Sequence, residues 1–156
     1  MVKVADLLEK ARAQGITIAT AESCTGGMVA ASLTDIAGAS DVFDRGFVTY
    51  SNAAKTAMLG VSAATLAQYG AVSEQVALEM ATGALTQSNA SLAVSITGIA
   101  GPGGSDHKPE GRVCFGLARK GHTPTAETLE FGAIGRDKVR TAARDRALHL
   151  LSQALA

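Results

Sequence analysis

The sequence predicts an α/β fold: a single three-layer α/β/α domain, residues 1–156, with a mixed, mainly parallel sheet. Strand-like runs and segments with helical spacing alternate along the 156 residues, a length that suits one domain. The 17 glycines suit the tight turns that join strands to helices in such folds. Aromatic residues make up only 4% of the chain, so the core must be built from closely packed Ala, Val, Leu and Ile.

The individual elements follow from apolar periodicity and from capping residues. In the first half they are a helix over 2–14 ended by Gly15, a strand over 16–20, a helix over 28–33, a strand over 42–51, a short helix that Asn52 caps and that carries Lys55 and Met58, a short helix over 65–68, and a longer helix opened by Ser73. In the second half they are a buried strand over 91–96, an antiparallel pair over 112–118 and 125–131 joined through Gly121, and a helix over 136–155 with Ala143, Ala147, Leu150, Leu151 and Ala154 facing inward.

Charge and composition exclude several classes of protein. The 14 basic residues balance 14 acidic ones, which argues against binding nucleic acid or a membrane surface through bulk electrostatics. No apolar run reaches the roughly 20 residues of a membrane span, and Met1 opens a charged amphipathic segment instead of a signal peptide. We therefore expect a soluble, cytoplasmic protein with no nucleic-acid or membrane partner. The sequence leaves open whether it forms a homo-oligomer.

Metal and dinucleotide chemistry find no support in the sequence pattern. None of the three histidines has a neighbour at metal-ligand spacing. The glycine-rich residues 98–104 contain neither a P-loop ending nor G-x-G-x-x-G spacing. Cys24 and Cys114 are far apart in the chain and in no C-x-x-C arrangement. No metal and no cofactor are therefore predicted.

Ser23 is the strongest candidate for a catalytic residue. It lies in residues 21–27, which read AESCTGG and join a predicted strand to a predicted helix. A hydroxyl at such a joint can face both a substrate and the unpaired N–H groups of the helix, which would hold an oxyanion. The alternative is that Ser23 or Thr25 only caps the helix. Cys24 is either a small buried residue or a nucleophile activated by the helix N-terminus.

The predicted topology brings further polar residues to Ser23. The carboxyl ends of parallel strands lie at one edge of a sheet, so Tyr50, Lys55 and Thr97 are expected near Ser23. With no histidine positioned as a base, Lys55 or Tyr50 would accept the serine proton. The alternative for Lys55 is an ordinary solvated helix residue.

Two features could hold an anion. Gly98, Gly101, Gly103 and Gly104 expose backbone N–H groups without side-chain obstruction, although a structural turn would use the same glycines. Arg136, Arg140 and Arg144 form an i, i+4, i+8 stripe near the start of the last helix, where the macrodipole is also positive. The alternative to anion binding is that these arginines pair with Asp137 and Asp145. Of the three arginines, Arg140 is the predicted phosphate ligand, because it can point back over the first helical turn.

Five ordered blocks together resemble the CinA C-terminal domain family, the nicotinamide-nucleotide amidohydrolases. They are residues 21–27, residues 46–52 with Lys55, residues 70–73, residues 97–102, and Lys108-Pro109 with Gly111. The resemblance covers nearly the whole chain. It implies deamidation of nicotinamide mononucleotide, a small-molecule nucleotide, to nicotinic acid mononucleotide and ammonia in pyridine-nucleotide recycling. A module that senses a nucleotide in the same pocket without turnover is the alternative.

The resemblance also implies roles for individual residues. Ser23 would be the nucleophile, Lys55 the general base and Tyr50 an assisting hydroxyl. Thr25, Gly26, Thr97 and the loop from Gly98 to Gly104 would line the substrate site. The stretch over residues 101–105 is one residue shorter than is usual in that family, and Glu110 and Arg112 stand where small or apolar residues are usual.

Overall fold

A computed structural model describes residues 1–156. The helices are α1 (Val4–Ala13), α2 (Met28–Thr34), α3 (Asn52–Leu59), α4 (Ala63–Tyr69), α5 (Glu74–Thr86) and α6 (Arg136–Ala154). The strands are β1 (Ile18–Glu22), β2 (Phe43–Val48), β3 (Leu92–Gly98), β4 (Arg112–Arg119) and β5 (Thr125–Glu130). A one-turn 3-10 helix, Ala39–Asp41, precedes β2. No helix combines the length and the apolar character needed to cross a membrane.

The five strands form one sheet in the order β2-β1-β3-β4-β5. Strand β1 pairs in parallel with both β2 and β3, whereas β3–β4 and β4–β5 are antiparallel pairs. Four strands therefore share one direction and only β4 opposes them. From β1 the chain leads through α2 to β2 on one side, and then returns through α3–α5 to β3 on the other. This makes the carboxyl ends of β1 and β3 a topological switch point, where open α/β sheets bind ligands.

Helices cover both faces of the sheet. On one face, α1, α2 and α6 pack over alternating side chains such as Ile18, Val94 and Phe115. On the other face, α3 and α5 pack over small residues such as Ala19 and Ala93. The small side chains let the helices approach the sheet closely, which suits a core with few aromatic residues. The predicted three-layer α/β/α domain with its mainly parallel sheet is confirmed.

All the predicted helices and strands are present, with differences at their ends. Asn52 was expected to cap α3, but the cap is Ser51, whose hydroxyl accepts the Ala54 N–H at 3.0 Å. Strand β2 is shorter than predicted, because the chain turns toward α3 after Val48. The 3-10 helix was not predicted. Ala154 is only partly buried, since α6 ends there.

Candidate active site

Ser23 lies directly after β1, at the switch point of the sheet. Its N–H donates to Ile96 O on β3 at 2.9 Å, which extends the β1–β3 pairing by one residue and holds the backbone rigidly. The residue is 9% exposed and lines a cavity of about 330 Å³. A cavity of this size is at the lower end of the range for small-molecule sites.

Neither Ser23 nor Thr25 caps α2, so this alternative for Ser23 is wrong. The residue at the N-cap position is Gly27, with φ +106°, and it has no side chain to donate or accept. The cap comes instead from Glu22, the last residue of β1. Its carboxylate accepts the N–H groups of Val29 at 2.9 Å and Ala30 at 3.1 Å. The first-turn amides of α2 are thus occupied, and the expectation that they hold an oxyanion needs correction.

Helix α3 carries Lys55 toward Ser23. The side chain of a helical residue points back toward the N-terminus of its helix, and Lys55 lies in the first turn after the Ser51 cap. Lys55 Nζ consequently reaches Ser23 Oγ at 3.2 Å and Thr49 O at 3.2 Å. Lys55 is 2% exposed, so the alternative of a solvated helix residue is wrong.

The surroundings of Lys55 favour a neutral amine. Burial lowers the pKa of Lys55 from its ordinary value of 10.5, and the neighbouring Cys24 opposes this effect. None of the six ion pairs in the chain includes Lys55. A neutral amine can donate one N–H to Thr49 O and present its lone pair to the Ser23 hydroxyl, as a general base must.

Cys24 is a buried thiol, not an activated one. It is 4% exposed, and burial raises the pKa of its thiol to about 11. The packing is tight, because a Cβ added at Gly98 would come within 3.1 Å of Cys24 Sγ. At neutral pH the sulfur is therefore protonated and a poor nucleophile. These observations favour the packing role for Cys24.

Tyr50 and Arg136 form the outer rim of the cavity. Tyr50 is 61% exposed, and its hydroxyl accepts a hydrogen bond from Arg136 Nη2. Arg136 Nη1 donates to Gly101 O at 2.6 Å. Because Arg136 already donates a hydrogen bond to the phenol oxygen, the hydroxyl proton of Tyr50 can point at another acceptor. Three of the five N–H groups of Arg136 remain for a ligand.

The inner wall comes from the end of β3. Thr97 is 1% exposed, and its hydroxyl donates to Ala71 O at 2.8 Å, which ties the connection between α4 and α5 to the sheet. Thr97, Gly98 and Gly101 all line the cavity, as predicted. At Gly98 an added Cβ would meet Val113 Cγ2 at 2.8 Å, so glycine is required there by close packing.

Gly103 and Gly104 do not line the cavity, contrary to prediction. The Gly103 N–H donates to Glu110 Oε1, so it is already occupied. Gly104 lies so close to Lys108 O that an added Cβ would be 2.3 Å away. Both glycines therefore shape a turn, closed by hydrogen bonds between Ser105 and Lys108. Glu110, one of the unusual residues of this loop, is the acceptor that sequence reasoning missed.

Arg140 is also absent from the cavity lining, which corrects its assignment as the phosphate ligand. Its Nε donates to Cys24 O at 3.0 Å and its Nη2 to Thr25 O at 3.4 Å. Thr25 is buried and Gly26 is exposed, and neither lines the cavity. The Thr25 hydroxyl donates to Glu22 Oε1 at 2.6 Å. Arg144 pairs with Asp145. The arginine at the cavity is Arg136, one turn earlier on α6.

The cavity carries an excess of positive charge. With Lys55 neutral, the charged lining residues are the basic Lys108 and Arg136, against one acidic residue, Asp106. Lys108 was not predicted as a site residue. Its ammonium donates to Tyr69 O at 2.6 Å and to Val72 O, so one of its three N–H groups remains. A small anion with a polar reactive group suits this lining best.

Comparison with known proteins agrees with this fold. The profile of the CinA C-terminal domain family matches residues 2–155. The chain belongs to this family. The predicted family resemblance is thereby confirmed over almost the entire length of the chain.

Other members of the CinA C-terminal domain family are closely similar. Nicotinamide-nucleotide amidohydrolase PncC of Escherichia coli strain K12 is 56% identical over 144 residues, 91% of this chain and 86% of that protein. The protein of the same name from Enterobacter agglomerans is 63% identical over 110 residues, 70% of this chain and 67% of that protein. The crystal structure of competence/damage inducible protein CihA from Agrobacterium tumefaciens superposes with a TM-score of 0.93, at 48% identity, and covers 97% of this chain and 92% of that one.

Proposed function

We propose that this protein hydrolyses the carboxamide of nicotinamide mononucleotide to nicotinic acid mononucleotide and ammonia, with Ser23 as nucleophile and Lys55 as general base. The observation that carries the proposal is the 3.2 Å contact between Lys55 Nζ and Ser23 Oγ inside a cationic cavity. The printed name of the relatives at 56% and 63% identity supports the substrate and the reaction. Recycling of pyridine nucleotides is the corresponding role in the cell.

In the first half-reaction, neutral Lys55 takes the proton of the Ser23 hydroxyl while Oγ attacks the carboxamide carbon. The C–N bond then breaks, and Lys55 returns its proton to the departing nitrogen, so that ammonia leaves and an acyl-enzyme ester remains. Thr49 O holds the amine by accepting one N–H, which keeps the lone pair directed at Ser23. The same group thus serves as base and then as acid.

In the second half-reaction, Lys55 accepts a proton from a water molecule, whose oxygen attacks the ester carbon. The bond between that carbon and Ser23 Oγ breaks, and Lys55 returns the proton to Oγ. The carboxylic acid formed in this way loses its remaining proton to solvent, so the products are the carboxylate and the free enzyme. We assign to Tyr50, whose oxygen already accepts from Arg136, the donation of its own proton to the substrate.

The phosphate of the nucleotide is assigned to the rim of the cavity, at Arg136. The guanidinium is held by Gly101 O and Tyr50, so little side-chain entropy is lost when an anion binds. Its remaining N–H groups can form charge-assisted hydrogen bonds with phosphate oxygens. Lys108 adds a second cation to the lining of the cavity.

Removal of the substrate phosphate, as in nicotinamide riboside, is expected to lower kcat/KM by about 10- to 100-fold, in keeping with roughly 1.5–3 kcal/mol of charge-assisted hydrogen bonds. Arg136→Ala should lose a similar factor on the mononucleotide and little on the riboside. Arg144→Ala, on the same helix but paired with Asp145, is the matched control and should behave as wild type on both substrates. Equal losses on both substrates for Arg136→Ala would show that Arg136 only positions Tyr50 and Gly101.

Activity is expected to depend on pH through Lys55. The base must be neutral, so kcat/KM should fall as the pH is lowered through the pKa of Lys55 in the free enzyme, with a midpoint below 10.5. Cys24→Ala should keep an acid limb, because a thiol with a pKa of about 11 is not the group that titrates there. Since Cys24 raises the pKa of Lys55, the midpoint in this variant should be unchanged or lower. A profile with no acid limb, or one with its midpoint at the ordinary lysine value, would contradict a neutral Lys55.

Ammonia release from nicotinamide mononucleotide by the purified protein tests the proposal as a whole. Stoichiometric ammonia and nicotinic acid mononucleotide are expected. Tight binding of the nucleotide without ammonia would instead identify a sensor that uses the same cavity. Sensitivity to iodoacetamide addresses the remaining thiol mechanism, and little loss of activity is expected, because Cys24 is buried and protonated.

A further inference from the structure

Thr49 has a buried hydroxyl group without a hydrogen-bond partner. The residue is 0% exposed, and its Oγ1 neither donates to nor accepts from any atom of the chain. Its backbone groups are both used, because the N–H donates to Glu22 O at 2.9 Å and the carbonyl accepts from Lys55 Nζ at 3.2 Å. Buried polar side chains in native proteins nearly always have partners, so an unpaired hydroxyl on a residue that binds Lys55 needs an explanation.

The side chains of Thr49 and Lys55 lie on the same face of the sheet. The Thr49 N–H continues the pairing of β2 with β1 by one residue, and side chains alternate between the two faces along a strand. Thr49 therefore points to the same face as Phe47, which packs with the core under α3 and α5. Lys55 extends from α3 on this face. The hydroxyl and the amine are thus neighbours, and the carbonyl of Thr49 already fixes the position of the amine.

Lys55 becomes an ammonium in each half-reaction, and an ammonium has three N–H donors. Thr49 O accepts one of them and Ser23 Oγ a second, but the third has no acceptor. Lys55 is 2% exposed and takes part in none of the six ion pairs, so little water reaches the charge and no carboxylate offsets it. A buried charge that lacks a hydrogen-bond partner is costly.

The other titratable groups around Lys55 do not supply the missing acceptor. Those that share its cavity make no hydrogen bond to Nζ, and they are Cys24, Tyr50, Asp106, Lys108 and Arg136. On α5, which packs against α3, Glu74 accepts from a β5 hydroxyl and Glu79 from a backbone N–H. Glu22 at the end of β1 accepts from α2. The hydroxyl of Thr49 remains as an acceptor with no partner of its own.

We infer that Thr49 Oγ1 accepts the third N–H of Lys55 when this residue is protonated, and that Thr49 is a positioning residue for the general base. This inference rests on the proposed deamidation. When Lys55 takes the proton of Ser23, rotation about the Cα–Cβ bond of Thr49 turns Oγ1 toward the ammonium. Hydrogen bonds to charged groups are stronger than those between neutral groups. The contact therefore stabilises the protonated state more than the resting state, which is what increases the rate.

Thr49→Val tests the inference, because valine has nearly the shape of threonine and lacks the hydroxyl. It should lower kcat by about 10-fold with little change in KM. Loss of an acceptor for the ammonium lowers the pKa of Lys55, so the midpoint of the acid limb should move down by about one pH unit. Stability should be equal or higher, since an unpaired buried hydroxyl is removed. Thr49→Ser, which retains a hydroxyl, should keep both kcat and the midpoint near their wild-type values.

Thr20→Val is the matched control. Thr20 also has an unpaired hydroxyl and is 0% exposed. It lies on the opposite face of the sheet, where a Cβ added at Gly46 would come within 2.7 Å of Thr20 Oγ1 and 3.4 Å of Ala30 Cβ on α2. Thr20→Val should change neither kcat nor the midpoint, and thermal unfolding should show the same trend as for Thr49→Val.

The outcomes separate the inference from the proposed function. Wild-type kcat and midpoint in Thr49→Val, or the same changes in Thr20→Val, would overturn the inference and leave the deamidase intact. Thr49→Ala, which also lacks the hydroxyl, gives the same comparison with Thr49→Ser if Thr49→Val fails to fold. Absence of ammonia release by the wild type would overturn the proposed function and this inference with it.

Discussion

Ser23→Ala is expected to lower the rate of nicotinamide mononucleotide deamidation by at least about 10³-fold, because it removes the atom that forms the acyl-enzyme. The fold should be unaffected. The backbone N–H of Ser23 still donates to Ile96 O, and its hydroxyl caps no helix. Steady-state ammonia release measures the loss, and thermal unfolding followed by circular dichroism checks the fold.

Cys24→Ala is the matched control one residue away. It truncates a buried thiol against Gly98, so a modest loss of stability is expected, with substantial activity retained. The opposite pair of results, an active Ser23→Ala and an inactive Cys24→Ala, would replace the serine mechanism by a thiol mechanism.

Lys55→Arg is expected to lower kcat by about 10³-fold, because a guanidinium keeps its proton at any pH of interest and cannot activate Ser23. The cationic lining residues Lys108 and Arg136 are unchanged, so binding of the mononucleotide should change less than kcat. A rapid-quench measurement of the first turnover locates the loss in acyl-enzyme formation.

Lys55→Met extends this test, since arginine is larger than the buried lysine it replaces. Methionine keeps an unbranched apolar chain and removes the buried amine, and 2% exposure at this position makes an apolar residue tolerable. It should be as inactive as Lys55→Arg and at least as stable as wild type. Near-normal turnover in either variant would reduce Lys55 to an electrostatic role.

The local sequence was enough to predict the order of helices and strands, the three layers and the location of Ser23. These features follow from short-range rules. Alternating β-branched residues favour a strand, helical spacing of Leu and Ala favours an amphipathic helix, and consecutive parallel strands place their carboxyl ends at one edge. The approach of Lys55 to Ser23 was predicted in the same way, because each residue follows a parallel strand.

Those rules do not decide whether Ser51 or Asn52 caps α3. Both residues are good N-caps, so the local pattern is satisfied by either. The path of the chain after β2 decides between them, and it places the Ser51 hydroxyl on the Ala54 N–H. Lys55 lies in the first helical turn with either cap, so its side chain points back toward Ser23 in both cases.

The roles of Glu22, Arg136 and Arg140 were decided only by the tertiary structure. Arg136 and Arg140 are neighbours on one face of α6. This helix packs on the sheet through Val139 and Ala143. Its position determines that Arg136 reaches the cavity and that Arg140 reaches the turn after Ser23. Glu22 caps a helix that begins six residues later, so no local capping pattern contains it. Periodicity along the chain reports which face of an element is buried, but the partner of each polar group depends on how separate elements pack.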